Sequence, residues 1–241
     1  MTRTKLFGMA AAMTLAMSLP AASGWAQPAG QGDALTDPTM KHAEVLAFMG
    51  VKPGSKVADV VAGRFVRAES QAVGPKGKVY AYEPAEVLKV HPEIAGTIGG
   101  LTKDPAYANV VYSTAPINAP DLPKGLDVVF IRQNYHDLYD KFMGPADVPA
   151  FNKAVYAALK PGGVYVILDH ADAAGSGLGG TETRHRIDIE RVKADMAAAG
   201  FKLDGESKLF ANPDDDHSKM VFNPAIRGKT DQFLLKFRKP R

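Results

Sequence analysis

From residue 39 onward the chain alternates short apolar runs with longer stretches whose apolar residues recur every three or four positions. That alternation marks strands and helices taking turns around one sheet. Met40 to Met49 reads as a short helix stopped by Gly50, and Val51-Lys52-Pro53-Gly54 turns into a first strand, Lys56 to Val61. Lys78 to Tyr82 is a second strand after the turn Gly74-Pro75-Lys76-Gly77, and Val110-Val111-Tyr112 is a third. Leu126 to Ile131 gives a fourth. A helix from about Val148 to Leu159 then leads through Pro161-Gly162-Gly163 into Val164 to Leu168, a β-branched and aromatic run that reads as a fully buried strand. Ile189, Val192 and Met196 fall on one helical face with Gly200 as the stop. Phe201 to Glu206 and Gln232 to Phe237 complete the strands, separated by a polar loop, Asn212 to Lys229.

The fifth strand ends in Asp169-His170, and the fourth is followed by Tyr135-His136-Asp137. Ligands of open parallel sheets bind beyond the carboxyl ends of the strands, so these residues arrive where chemistry is done. A histidine beside a carboxylate is a candidate general base, which makes His136, His170 and Asp169 the catalytic candidates. The plainer alternative, that each histidine caps a helix or bonds a loop carbonyl, stays open. Gly175 to Gly180 reads as a lid or surface loop, and Asp214-Asp215-Asp216-His217 as a solvated acidic turn. His136, Asp169, His170 and His185 could also gather around a metal, but their spacing is not diagnostic and no metal is assigned.

The first residues change the picture of where the chain works. Arg3 and Lys5 precede an apolar run, Leu6 to Leu19, and Gly24-Trp25-Ala26 offers small residues for cleavage. Residues 1–26 are thus expected to be a secretory signal peptide, 27–38 a flexible leader, and 39–241 the folded domain. The apolar run is short for a bilayer, so the mature chain is expected to be periplasmic or secreted with no integral membrane segment. Lysine and arginine number 29 against 26 acids, and the signal carries two of the cations and none of the acids. A nearly neutral body gives no electrostatic case for nucleic acid. The absence of cysteine removes disulfides and thiolate nucleophiles together. Nothing in the pattern indicates an oligomeric state.

The Leu159-Lys160-Pro161-Gly162-Gly163 turn, the strand order and an antiparallel last strand resemble the class I S-adenosylmethionine-dependent methyltransferases. Together with the signal, Tyr135-His136-Asp137, Thr181 to Asp188 and Thr230 to Phe233, they resemble an exported bacterial group of such enzymes. The resemblance implies an α/β, Rossmann-like, doubly wound and mostly parallel seven-stranded sheet with an antiparallel last strand. It also implies S-adenosylmethionine as cofactor and a small-molecule substrate. Asp59 at the end of the first strand and Gly63 in the following turn match the family's cofactor loop. Glu83 matches the acid that accepts from both ribose hydroxyls. The chain departs from the family's Gly-Gly-Gly-aromatic loop at Gly63-Arg64-Phe65, and it lacks the Asn/Asp-Pro-Pro-aromatic motif of enzymes that methylate DNA or glutamine. The competing readings are a non-catalytic ligand-binding protein on the same fold and a metal-assisted hydrolase. A nicotinamide dehydrogenase is disfavoured, because no G-x-G-x-x-G follows the first strand.

Overall fold

Seven strands build the sheet: β1 (Lys56–Val60), β2 (Lys78–Pro84), β3 (Val110–Ala115), β4 (Leu126–Arg132), β5 (Leu159–His170), β6 (Lys202–Ser207) and β7 (Gln232–Arg238). Their order is β3-β2-β1-β4-β5-β7-β6, parallel except for β7, which runs antiparallel to both of its neighbours. This is the expected α/β, Rossmann-like arrangement. The computed structural model describes residues 32–241, so the expected signal peptide and its cleavage site after Ala26 lie outside the described residues. Among the described residues no helix is long and apolar enough to cross a membrane.

The central strands are buried on both faces, which is why they read as continuous apolar runs. Val128, Phe130, Val166 and Leu168 face a layer with Val45 and Met49 of helix α1 (His42–Met49) and Val66 and Val73 of helix α2 (Val66–Val73). Val129, Ile131, Tyr165 and Ile167 face the opposite layer of α5 (Val148–Ala158) and α7 (Ile189–Ala199), with Phe151, Val155, Val192 and Met196 between them. Asp147 caps α5 through Ala150 N at 2.9 Å, Asp188 caps α7 through Glu190 N at 3.0 Å, and Gly200 ends α7 in the left-handed region. In the turn before the buried part of β5, Gly162 has φ +79°. A Cβ on Gly163 would meet the Leu126 and Lys160 carbonyls at 3.0 Å, so both glycines are required there.

Helices α3 (Ala85–Val90) and α4 (Glu93–Leu101), and the short α6 (Thr181–Arg184), were not marked by the pattern. Three glycines in α4 hide its periodicity. The folded body also starts earlier than residue 39. Ala34 is fully buried, its N–H donates to the Arg64 carbonyl, and Asp33 and Asp37 form 2.6 Å ion pairs with Arg67 and Arg64. The residues from 32 onward that were expected in a flexible leader therefore form a strap across the turn after β1.

Two buried charge arrangements dominate the rest. The guanidinium of Arg186 is wholly buried and donates to the Ala171 and Lys219 carbonyls and to Asp215, 2.8 Å away at the closest, which pins the long polar loop to the end of β5. Asp59, Glu69 and Glu83 are buried beside the α2 face of β1 and β2, and both oxygens of Glu69 and of Glu83 lack a hydrogen-bond partner. Burial pushes the Asp59 carboxyl up to about 7, raises Glu69 well above its ordinary range, and with Asp59 nearby pushes Glu83 up to about 9.

Two outcomes follow from these arrangements. Arg186→Met leaves Asp215 buried without its cation and should cost about 3–5 kcal/mol, seen as a lower urea midpoint at unchanged m-value. For Glu83 the folded value of about 9 lies above the ordinary 4.5. The fold therefore keeps a proton across that window that the unfolded chain has lost, and stability falls as pH rises through it. Glu83→Gln cannot ionise, so it should remove up to about 1.4 kcal/mol per pH unit of that fall. Urea unfolding of both proteins at pH 6 and pH 8 reads the difference; equal slopes would refute the assignment.

Candidate active site

The carboxyl ends of β1, β4 and β5 open on a cleft of about 930 Å³, the size of a small-molecule site. Gly63 and Arg64 from the turn after β1, Arg132 and His136 from the β4 exit, and His170 and His185 line it. Three non-glycine residues with left-handed backbone, Val61 (φ +53°), Gln133 (φ +56°) and His185 (φ +54°), also stand on its wall. For a β-branched valine this is a genuine departure, and such strain collects at functional sites.

Asp169 organises one half of the cleft. Its Oδ2 accepts from the His136 N–H at 2.9 Å, and its Oδ1 faces His136 Nδ1 at 2.8 Å and the His170 N–H at 2.7 Å. Burial alone would raise this carboxyl, but His136 and His170 outweigh it and hold it below the ordinary range. The expected trio of His136, Asp169 and His170 is thus brought together, with the two imidazoles 6.4 Å apart.

The electrostatics do not suit either histidine to act as a simple neutral base. Burial pulls His136 down, yet Asp137 and Asp169 on either side outweigh it and hold its proton well above the ordinary value. His170 goes the other way: burial pushes it down to about 3, against a smaller upward pull from Asp169. A general base works best with a pKa near the operating pH, and these two straddle that range. The Thr230 hydroxyl bonds His170 Nδ1 at 2.8 Å, which fixes the ring as a neutral polar group on the wall.

The other half of the cleft carries the residues matched to a cofactor loop. Gly63 is on the wall, and a Cβ there would meet nothing nearer than the Val61 carbonyl at 3.8 Å. Its N–H donates to Asp59 Oδ2 at 3.3 Å. Arg64, in the place of the missing glycine, turns away to the Gly32 carbonyl and to Asp37, while Phe65 packs edge-on against Phe130 at 5.4 Å. Glu83 does not reach the cleft wall. It is fully buried at the end of β2, with Asp59 and Glu69 as the acids nearest in character and position.

Glu69 escaped the sequence reading, although Val66, Glu69, Ser70 and Val73 share one helical face and an acid on an apolar stripe was a visible signal. Arg132, next after the fourth strand, was also missed. The Gly175–Gly180 loop cradles no ligand site; the amides of Gly175 and Gly177 are bound by Asp188 Oδ2. In the acidic turn Asp215 pairs with Arg186, His217 with Asp231, and Asp216 caps Ser218. These side chains serve the loop's own structure.

No protein-family profile matches the chain, and no curated protein matches it in sequence. Solved structures do match it in shape. An S-adenosylmethionine-dependent methyltransferase from Aquifex aeolicus is 22% identical, with TM-score 0.57 over 85% of this chain and 94% of that one. The N-methyltransferase NodS from Bradyrhizobium japonicum is 13% identical, with TM-score 0.55 over 86% of this chain and 99% of that one. The [4+2]-cyclase SpnF is 14% identical, with TM-score 0.54 over 88% of this chain and 84% of that one. At these identities the likeness concerns the fold, and a fold alone does not fix a reaction. With its seven strands in the order 3-2-1-4-5-7-6 and β7 antiparallel, this chain has the Rossmann-like fold of the class I S-adenosylmethionine-dependent methyltransferases.

Proposed function

We propose that the protein transfers a methyl group from S-adenosylmethionine to a small molecule in the cleft, and that it does so after export to the periplasm or the medium. The observation that carries this reading is Glu83. A carboxyl group with two buried oxygens and no partner for either is costly in an ordinary core, and a vicinal diol has a hydroxyl to bond each. The space beside Gly63, where a Cβ would meet nothing nearer than 3.8 Å, leaves room for the other end of such a ligand. Gly63 and the turn after β1 would hold the cofactor in the cleft, Asp59 keeps the turn in place through the Gly63 amide, and Glu83, buried behind the wall, would meet the diol only once the wall opens to it.

The bound cofactor supplies an electrophilic methyl group. This chain's residues supply the rest, which is position. His136 and His170 are fixed by Asp169 and Thr230, so a nucleophile set against them meets rigid groups and little orienting entropy remains to be lost. Because neither ring suits a neutral base, the reading favours a nucleophile that arrives already deprotonated. Arg132 and Arg227 on the cleft wall support an anionic substrate of that kind.

Titration calorimetry of the full chain with S-adenosylmethionine and S-adenosylhomocysteine tests the reading. Wild type should bind both. Glu83→Ala should weaken each by about two- to ten-fold, the worth of a neutral hydrogen bond left unmade, roughly 0.5–1.5 kcal/mol. Absence of binding at millimolar ligand would reject the enzyme and favour a binding protein for some other small molecule.

A further inference from the structure

His136 is held by Asp169 on one side, and what it faces on the other side is unusual. Its Nε2 lies 2.8 Å from Asp137 Oδ1 and 3.3 Å from His185 Nδ1, and those two atoms are 3.6 Å apart. Asp137 is fully buried, and its Oδ1 faces both imidazoles. A carboxylate can only accept, so the hydrogen in the Asp169 contact sits on His136 Nδ1. Nε2 carries the ring's second hydrogen toward Asp137 in the metal-free chain, and an ion that displaces it would meet a lone pair there. Two imidazole nitrogens and a carboxylate oxygen then converge on one spot from two separate segments of chain.

The triangle has the dimensions of a metal site. A point equidistant from its three corners lies about 1.9 Å from each, whereas zinc takes nitrogen and oxygen ligands at about 2.0–2.2 Å. An ion at such distances would stand about 0.9 Å off the plane of the three atoms, with its remaining positions open. His136 and His185 both line the cleft, so that open side is reachable by a small molecule.

We propose that His136 Nε2, Asp137 Oδ1 and His185 Nδ1 form a binding site for a borderline divalent ion such as zinc. Asp169 is then a positioning residue, orienting His136 from behind in the way that carboxylates commonly support metal-bound histidines. The left-handed backbone of His185 and the Phe222 ring 5.0 Å away aim the second imidazole. Two histidines and one carboxylate suit zinc or a neighbouring transition metal better than magnesium, which prefers all-oxygen shells. Three protein ligands with open positions are the pattern of catalytic rather than structural sites. An oxygen nucleophile drawn into an open position would lose its proton more readily, which is a task that neither His136 nor His170 is suited to alone. The site differs from the set of His136, Asp169, His170 and His185 that the sequence offered, because Asp169 and His170 point their roles elsewhere. It stands on its own geometry, whether or not the cleft takes S-adenosylmethionine.

The test uses the full chain, freed of metal with a chelator and titrated with zinc and, separately, magnesium, with no cofactor present. Wild type should bind one equivalent of zinc and no stoichiometric magnesium, and cobalt in place of zinc should give the visible bands of a nitrogen- and oxygen-ligated ion. His185→Asn, which suits the left-handed backbone, and Asp137→Asn should each weaken zinc at least ten-fold. Asp169→Asn should weaken it about ten- to a hundred-fold. His217→Asn, which removes an imidazole paired with Asp231 and outside the triangle, should bind as wild type does. Circular dichroism of the metal-free proteins checks that each variant is folded, and the wild-type cobalt spectrum needs no variant at all. A wild type that takes up no zinc equivalent, or His185→Asn and Asp137→Asn that bind as tightly as it does, overturns the proposal. Neither outcome bears on cofactor binding, which is read separately.

Discussion

A single buried carboxylate, Asp169, sets the geometry of the cleft. It closes β5, yet two of its three donors belong to His136, which lies beyond β4. Two parallel strands have no hairpin to fix where their exits stand relative to each other. Asp169 supplies that fix with charge-assisted hydrogen bonds, made strong because the site is dry. It also takes the Nδ1 hydrogen of His136, which leaves Nε2 as the nitrogen that faces Asp137 and His185.

The two halves of the cleft carry opposite kinds of polarity. Around β4 and β5 the charged groups on the wall are matched, Asp169 with three donors, His170 with Thr230 and Arg186 with Asp215 and two carbonyls, although the buried hydroxyl of Tyr165 has no partner. Around β1 and β2 they are not, since four carboxylate oxygens of Glu69 and Glu83 find no partner in the folded chain. Unmatched groups of this sort are rare in native interiors and call for an explanation.

The sheet was legible because its central strands are buried on both faces, so their sequences carry uninterrupted apolar runs bounded by glycine and proline. Strand ends were legible too, and with them Asp169, His170 and His136, because register in a parallel sheet brings ends together whatever lies between. What lay between was harder. His185 sits 49 residues from His136 in sequence, and only the turn after the glycine-rich loop, with its left-handed backbone, returns it to the cleft. Glu69 was masked by the apolar helix face it interrupts. The strap from residue 32 looked like linker because its attachment is ionic and backbone-mediated rather than hydrophobic. Charge state was the least visible property of all: the same residue type is held protonated at His136 and neutral at His170 by neighbours that composition does not reveal.

The place of β7 has a consequence for how the molecule assembles in time. Although last in sequence, it lies inside the sheet between β5 and β6, and among the described residues β6 pairs with no other strand. Pairings such as Val164 with Arg238 span long stretches of chain, and the loop-closure entropy of such contacts must be met before they return anything. An intermediate with β1 to β5 in place would already have Asp169 and His136 in register. It would expose the outer edge of β5 and lack Thr230 beside His170. The Thr230 side of the cleft is therefore complete only once the final segment has paired with β5.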